Sequence, residues 1–286
     1  QGGKMNASAK EDLVEVVNLG GQELLWYKSF PINVAIIRGS FGDADGNISL
    51  DQEAANVDVY AAALAAHNSG GIVIAQVRTA VDVNSLPARS VRVPGAIVDA
   101  VVVDPDQRMS YDLPYDPLIS GERRGPTPLN PPDPLNIRSL IARRAYQELT
   151  EGDVINFGVG IGEGVAKMVA ERGEVGRYYQ TIEHGTYGGS LLVGLLFGFA
   201  RSASAMIDGP SQFDFYAGGG LDTAFLGFGE LDEAGDVNVS KLGGLTVGPG
   251  GFMDIAQNAK KVVFCGTFDT KGSKLEVGGG KLAISQ

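Results

Sequence analysis

The chain has 286 residues, of which 41 are glycine and one is cysteine, and its formal charge at pH 7 is −11. That balance argues against nucleic acid as a partner, because phosphate binding needs clustered Lys and Arg, and a single cysteine excludes an internal disulfide or a cysteine-based metal cluster. No apolar run approaches the ~20 residues of a bilayer crossing, so no membrane partner is expected and the cytoplasm is the default compartment.

A 44% hydrophobic share is ordinary globular composition, and length alone suggests roughly two domains. Strand-like runs lie at 34–37, 71–77 and 96–103, and residues 52–68 carry apolar residues at helical spacing before the stop Ser69-Gly70-Gly71. Asp43-Ala44-Asp45-Gly46-Asn47 looks superficially like a calcium loop. However, its glycine is fourth rather than sixth and its twelfth position is Ala54, so it reads as a turn. Residues 126–134 (PTPLNPPDP) have linker composition. A helix is expected over 135–149, a strand over 154–157, then a glycine loop and a helix running to Arg172. Cys265, beside Val262, Val263 and Phe264, reads as a buried small hydrophobe, and the last residues read as the start of a strand. The alternation predicts an α/β fold with a largely parallel sheet.

The sequence also repeats itself. NVAIIRGSFGDADGNISL from Asn33 and DTAFLGFGELDEAGDVNV from Asp222 keep one phase: Ala35 and Ala224, Gly46 and Gly235, and Val73 and Val262 all lie 189 positions apart. Shared strand–turn–strand–helix grammar is the competing explanation. A true repeat leaves residues 135–189 without a counterpart in the first unit, so the sequence is read as a piece of a longer protein.

Two glycine loops could carry chemistry. Asn156-Phe157-Gly158-Val159-Gly160-Ile161-Gly162 joins a strand to a helix, where backbone amides can bind an anion; a tight turn explains it equally well. The spacing fails the dinucleotide fingerprint, since Glu163 stands where the third glycine belongs. In Thr181-Ile182-Glu183-His184-Gly185, a β-prone run delivers a carboxylate into a glycine turn, at the end of a strand where α/β sheets build sites. A solvated Glu is the plainer reading of that position by composition alone. His184 either tunes the carboxylate or is a turn residue.

These loops, with QFDFYAGGGLDTAFLG (212–227), GDVNVSK (235–241), GPGGFMDIAQNAKKVVFCGTF (248–268) and KSFPINVAIIRG (28–39), resemble the family I CoA-transferases, especially single-chain acetate and propionate CoA-transferases. The resemblance covers essentially the whole chain. It implies two similar open α/β domains of the CoA-transferase type, the first lacking its N-terminal half. Residues 1–125 would be the C-terminal part of the first domain, 126–134 the linker, and 135–286 the second domain carrying the catalytic Glu. Glu183 falls on the catalytic glutamate, Gly251 where an amide faces the reacting carbonyl, and Asn156 on a residue positioning substrate or glutamate. Gly219, Gly220 and Gly250 fall near bound CoA. Two residues depart from the pattern: Gly162 replaces a proline, which would loosen the loop, and His184 replaces a small or amide residue. The implied reaction moves CoA from an acyl-CoA to a short-chain carboxylic acid through a glutamyl-CoA thioester on Glu183. CoA is a substrate, no cofactor or metal is required, and a homo-oligomer is the usual assembly. The alternatives are a catalytically silent fragment that folds or assembles with a partner and, less well supported, a dinucleotide-binding oxidoreductase.

Overall fold

The computed structural model describes residues 10–126, 132–267 and 274–285. Most of the expected linker, residues 127–131, lies outside them, as does Phe268 at the end of one motif. In chain order, β1 (Val14–Leu19) and β2 (Gln22–Tyr27) form a hairpin closed by Gly20 and Gly21, both at positive φ as a two-residue turn requires. β3 (Val34–Asp43), β4 (Ile48–Ser49), α1 (Val59–Asn68), β5 (Ile72–Val81), β6 (Val91–Val93) and β7 (Ala100–Val103) follow. Next come α2 (Ile137–Tyr146), β8 (Val154–Phe157), α3 (Ile161–Glu171), β9 (Tyr179–Ile182), β10 (Thr186–Tyr187), β11 (Ser190–Leu191), β12 (Ala200–Arg201) and β13 (Ala205–Met206). The chain continues through α4 (Gly209–Phe215), β14 (Thr223–Leu226), β15 (Glu230–Leu231), β16 (Val237–Asn238), β17 (Lys241–Leu242) and β18 (Leu245–Thr246). It ends with α5 (Phe252–Asn258), β19 (Lys261–Phe264), β20 (Lys274–Gly278) and β21 (Lys281–Ser285).

Two compact units result. The first comprises the chain up to Arg123 together with Ile207–Pro210 and Gly229–Gly250; the second comprises Arg124–Met206, Ser211–Phe228 and the chain from Gly251.

The first unit holds a five-stranded sheet in the order β6-β4-β3-β5-β7, with β3, β5 and β7 parallel and β4 and β6 antiparallel. Alternation along β3 and β5 sends Ala35, Ile37, Val73, Ala75 and Val77 to one face, where they pack with Ala63 and Ala66 of α1. The other face presents Val34, Ile36, Ile72 and Val102, with Ile36 80% exposed. Two expected boundaries move. The helix expected over 52–68 begins at Val59, because Val57 sits at φ 43°, outside helical space, and Glu53 is drawn into buried hydrogen bonds instead. The strand expected over 96–103 begins at Ala100, since Gly95–Ile97 forms a 3₁₀ turn after Pro94.

The second unit holds a six-stranded sheet, β13-β10-β9-β8-β14-β19, with β9, β8, β14 and β19 parallel and an antiparallel edge of β10 and β13. Both faces are covered. α2 and α3 pack Ala142, Ala145, Val165 and Val169 onto Ile155, Phe157 and Phe225, and the last two rings stack at 5.4 Å. On the other side, Tyr216, Leu221, Ala224, Leu226 and Ile255 form a second cluster. The helix expected over 135–149 is shorter, Ile137–Tyr146, and starts at a capping box between Asn136 and Ser139. Ser285 closes a strand begun at Lys281 rather than opening one. Cys265 is buried as expected, and burial pushes its thiol up to about 11.

The repeat is present in the backbone. Ala35 pairs with Val73 in parallel register and Ala224 pairs with Val262, each 189 positions on. The Ile72 amide donates to the Asn33 carbonyl at 2.8 Å, and its counterpart Lys261 donates to Asp222 at 2.9 Å. In the following turns, Asp43 Oδ1 accepts from the amides of Asp45 and Asn47, as Asp232 Oδ1 does from Ala234 and Asp236. Matching pairings and turn hydrogen bonds at one fixed offset support a repeat.

Candidate active site

Glu183 follows β9 directly. The chain reverses through Glu183-His184-Gly185, with the Gly185 amide donating to Ile182 at 2.9 Å and Gly185 at φ 98°, and β10 returns beside β9. Glu183 therefore sits, half-buried, at the carboxyl end of a central parallel strand. On the neighbouring strand β8, Asn156 lies in register with Thr181 and is fully buried. Its Nδ2 donates to Glu183 Oε2 at 3.2 Å and to Tyr216 Oη at 3.3 Å. Thr181 Oγ1 donates to the Ile155 carbonyl at 2.8 Å and lies 2.7 Å from Tyr216 Oη. Burial drives the Tyr216 phenol up to about 12, outweighing its hydrogen bonds to Thr181 and Asn156, so it stays protonated at ordinary pH.

His184 turns away from this group. Its Nδ1 lies 3.3 Å from the Gly198 carbonyl, and a Cβ built on Gly198 would fall 2.5 Å from His184 Cε1. Gly198 is thus required where it stands, at φ 105° beneath the imidazole. No hydrogen bond joins His184 to Glu183 among the described residues.

The first glycine loop behaves as a strand-to-helix turn. Glu163 Oε1 accepts from the Gly160 amide at 2.8 Å and Oε2 from the Gly194 amide at 3.2 Å, so the chain's own carboxylate occupies the helix start. A cleft of about 600 Å³ opens on this α2–α3 side, lined among others by Arg138, Arg143, Lys167 and Gly160. None of the expected site residues lines it, because Asn156 and Tyr216 face the other side of the sheet. Gly162 is closely packed. It is buried in the first turn of α3, and an added Cβ would lie 2.8 Å from the Phe225 carbonyl oxygen, so glycine lets helix and sheet approach.

Of the remaining expected residues, Gly219 is exposed at φ 89° within a π-type turn, Tyr216–Gly220, and Gly220 lies under the Phe215 ring, 2.3 Å from a built Cβ. Gly251 caps α5, and the Phe213 ring lies against it, 2.8 Å from a built Cβ. Phe213 meets Tyr216 edge-on at 6.2 Å. Asn156 and Glu183 are thus in direct contact, and Gly251 reaches them through Phe213 and Tyr216. Gly250, at φ 56°, belongs to the first unit. Thr181, Phe213 and Tyr216 were missed as site residues; the one available signal was an aromatic run leading into the glycine stretch at 218–220. Among the described residues, no group of three or more His, Cys, Asp and Glu side chains is arranged to hold a metal ion, and no helix is long and apolar enough to cross a membrane.

Residues 3–104 match the coenzyme A transferase family. Over its whole length the chain is 44% identical to caffeate CoA-transferase of Acetobacterium woodii, covering 56% of that protein. The chain belongs to the coenzyme A transferase family. It is also 42% identical over its whole length to acetate CoA-transferase YdiF of Escherichia coli strain K12, covering 54% of it. The acyl-CoA transferase YdiF of E. coli O157:H7, in a crystal structure described as a thioester complex with CoA, matches with a TM-score of 0.85 at 41% identity. That match covers 98% of this chain and 52% of the other. The chain therefore spans about half the length of the relatives it matches. Its fold is the α/β arrangement of that family, and the acids in the relatives' names differ, caffeate in one and acetate in the other.

Proposed function

We propose that this chain moves CoA from an acyl-CoA to a short-chain carboxylic acid through a covalent glutamyl-CoA thioester on Glu183. The observation that carries the reading is the half-buried carboxylate at the end of a central parallel strand, with one oxygen held by the Asn156 amide. The relatives' names and the thioester complex of YdiF support it.

The chemistry uses the carboxylate as nucleophile. One oxygen of Glu183 attacks the thioester carbonyl, the C–S bond breaks, and an acyl–glutamyl anhydride forms as CoA thiolate leaves. The thiolate then attacks the glutamyl carbonyl, expelling the first acid as its carboxylate and leaving glutamyl-CoA. The incoming carboxylate reverses both steps. Each addition places negative charge on an oxygen, and a fixed amide donor there contributes on the order of 3 kcal/mol. We assign that role to the Gly251 N–H, substrate or glutamate positioning to Asn156, and CoA contacts to Gly219, Gly220 and Gly250. CoA enters as substrate, and no resident cofactor or metal is part of the scheme. A cytoplasmic homo-oligomer is the setting proposed.

The test is intact mass and peptide mapping after incubation with propionyl-CoA. A CoA-sized adduct on the peptide holding Glu183, absent in Glu183→Ala, is the expected result. An adduct that survives Glu183→Ala overturns the assignment. So does its absence both in this chain and in a full-length protein that contains it.

A further inference from the structure

We infer that Tyr216 is a positioning residue that fixes which end of the Asn156 amide faces Glu183. This rests on Glu183 being the nucleophile, as proposed above. The two ends of an asparagine amide have nearly the same shape, so its hydrogen-bond partners decide which end points where.

Here the partners form a chain with one direction. The Ile155 carbonyl can only accept, so it takes the single hydroxyl proton of Thr181, 2.8 Å away. With that proton committed, Thr181 Oγ1 is an acceptor, and Tyr216, at 2.7 Å, is the donor. The phenol oxygen then has only lone pairs left for Asn156, whose Nδ2 donates to it at 3.3 Å. The second N–H of that same Nδ2 reaches Glu183 Oε2 at 3.2 Å. Among the described residues nothing holds the other end, because Asn156 Oδ1 is buried with no hydrogen-bond partner there. Without the phenol oxygen, Nδ2 keeps only the Glu183 carboxylate as an acceptor, so the amide is held from one side instead of two. Once turned over, it would present an oxygen to the carboxylate.

The consequence is chemical. An N–H on Oε2 leaves the other carboxylate oxygen to attack, and it continues to face an oxygen when Glu183 is an anhydride or a thioester. A turned amide would oppose the lone pairs in every one of those states. Tyr216 is fully buried, and its ring packs against Phe213 and Phe215, so removing only the hydroxyl keeps the packing.

The test is Tyr216→Phe in this chain, with two independent readings. The first is the rate at which propionyl-CoA forms the adduct on Glu183. We expect the saturated rate to fall about ten-fold or more while the half-saturating concentration moves less than about twofold. Tyr216→Phe combined with Asn156→Ala should be no slower than Asn156→Ala alone. The second is solvent exchange of the Asn156 side-chain amide protons by ¹⁵N NMR, expected to quicken about ten-fold in Tyr216→Phe. An unchanged saturated rate, additive losses or unchanged amide exchange overturns the inference. If neither this chain nor a full-length protein that contains it forms the adduct yet the exchange quickens, the amide-positioning role stands and the transferase reading is what fails.

Discussion

In the first copy of the repeat, β3 runs unbroken for ten residues into its hairpin, so β4 is part of the main sheet. In the second copy, β14 stops at Leu226, Gly227-Phe228-Gly229 intervenes, and β15 and β16 form a separate ladder. The pairing inside the two hairpins is nonetheless the same: Phe41 faces Ser49 as Glu230 faces Asn238. What differs is what the backbone carries. Arg38, Ser40 and Glu53 stand where the second copy has Gly227, Gly229 and Leu242. In the first copy, buried Glu53 accepts from Arg38 Nε at 2.8 Å and from Gln107 Nε2 at 3.1 Å, while the Gln52 amide donates to Ser40 Oγ at 2.8 Å, tying the chain after the hairpin to the sheet. In the second, Gly229 has no side chain and Leu242 lies against it, 2.5 Å from a built Cβ; the segment from Gly229 to Gly250 belongs to the first unit although β14 belongs to the second. Equal registers do not make equal attachments; polar side chains tie the chain to the sheet in the first copy, and Leu242 packs against Gly229 in the second.

The sheet faces differ in the same way. Ile36 and Phe225 are counterparts, but Ile36 is 80% exposed and Phe225 is fully buried beneath α2 and α3. The largest effect expected from this contrast is Phe225→Ala, which should cost about 3–5 kcal/mol by creating a cavity. Ile36→Ala should stay within about 0.5 kcal/mol. Urea unfolding of both variants checks this, and similar losses would break the comparison.

Glu53→Ala should cost about 2–3 kcal/mol, below the roughly 3–5 kcal/mol for breaking a fully buried pair, since the Arg38 side chain is 36% exposed and keeps some solvent. Leu242→Ala, half-buried at the matching position, should cost about 1 kcal/mol. Glu53 also titrates differently from an ordinary carboxyl. Burial raises its pKa above 4.5, against the pull of Arg38 and Arg78. A carboxyl raised by folding binds its proton more tightly in the folded state. Its favourable contribution is complete below the ordinary value and is lost as pH rises through the folded one. Glu53→Gln should therefore flatten the fall of the thermal midpoint as pH rises above about 4.5; an unchanged pH profile would place the titrating group elsewhere.

The smallest expected contrast separates the two turns. Asp43 is buried, and although burial alone would raise it, hydrogen bonds from Asn47 and from the backbone hold its carboxyl below the usual range. Asp43→Ala should cost about 1–2 kcal/mol, whereas Asp232→Ala, which removes the same two amide contacts at an exposed site, should cost under about 0.5 kcal/mol. Thermal midpoints of the two variants would sharpen the comparison.

Much of this was legible from residues alone. The apolar runs at 34–37, 71–77 and 154–157 locate central strands, because β-branched residues suit a pleated, buried surface. The phase of 189 positions predicted a repeat that the hydrogen bonds repeat atom for atom at the turns. Glu183 before a glycine turn could be placed at a strand end, since glycine takes the positive φ that the reversal needs. Local chemistry of this kind acts over a few residues and is written along the chain.

Contacts between distant residues were decided only in three dimensions. Glu53 sits in a stretch with helical spacing, but burial beside Arg38 and Gln107 outweighed that propensity. The helix start that looked ready for an anion is filled by Glu163, whose reach to Gly194 spans 31 residues. Tyr216 reads as one more aromatic in an apolar motif until folding brings its hydroxyl to Thr181, 35 residues away, and to Asn156, 60 residues away. The sequence by itself determined the strands, the repeat and the carboxylate at a strand end, because those follow from side-chain periodicity and backbone freedom. Only the tertiary structure decided which faces are covered and which way the amide beside Glu183 points, because burial and hydrogen-bond direction depend on partners that sequence order does not specify.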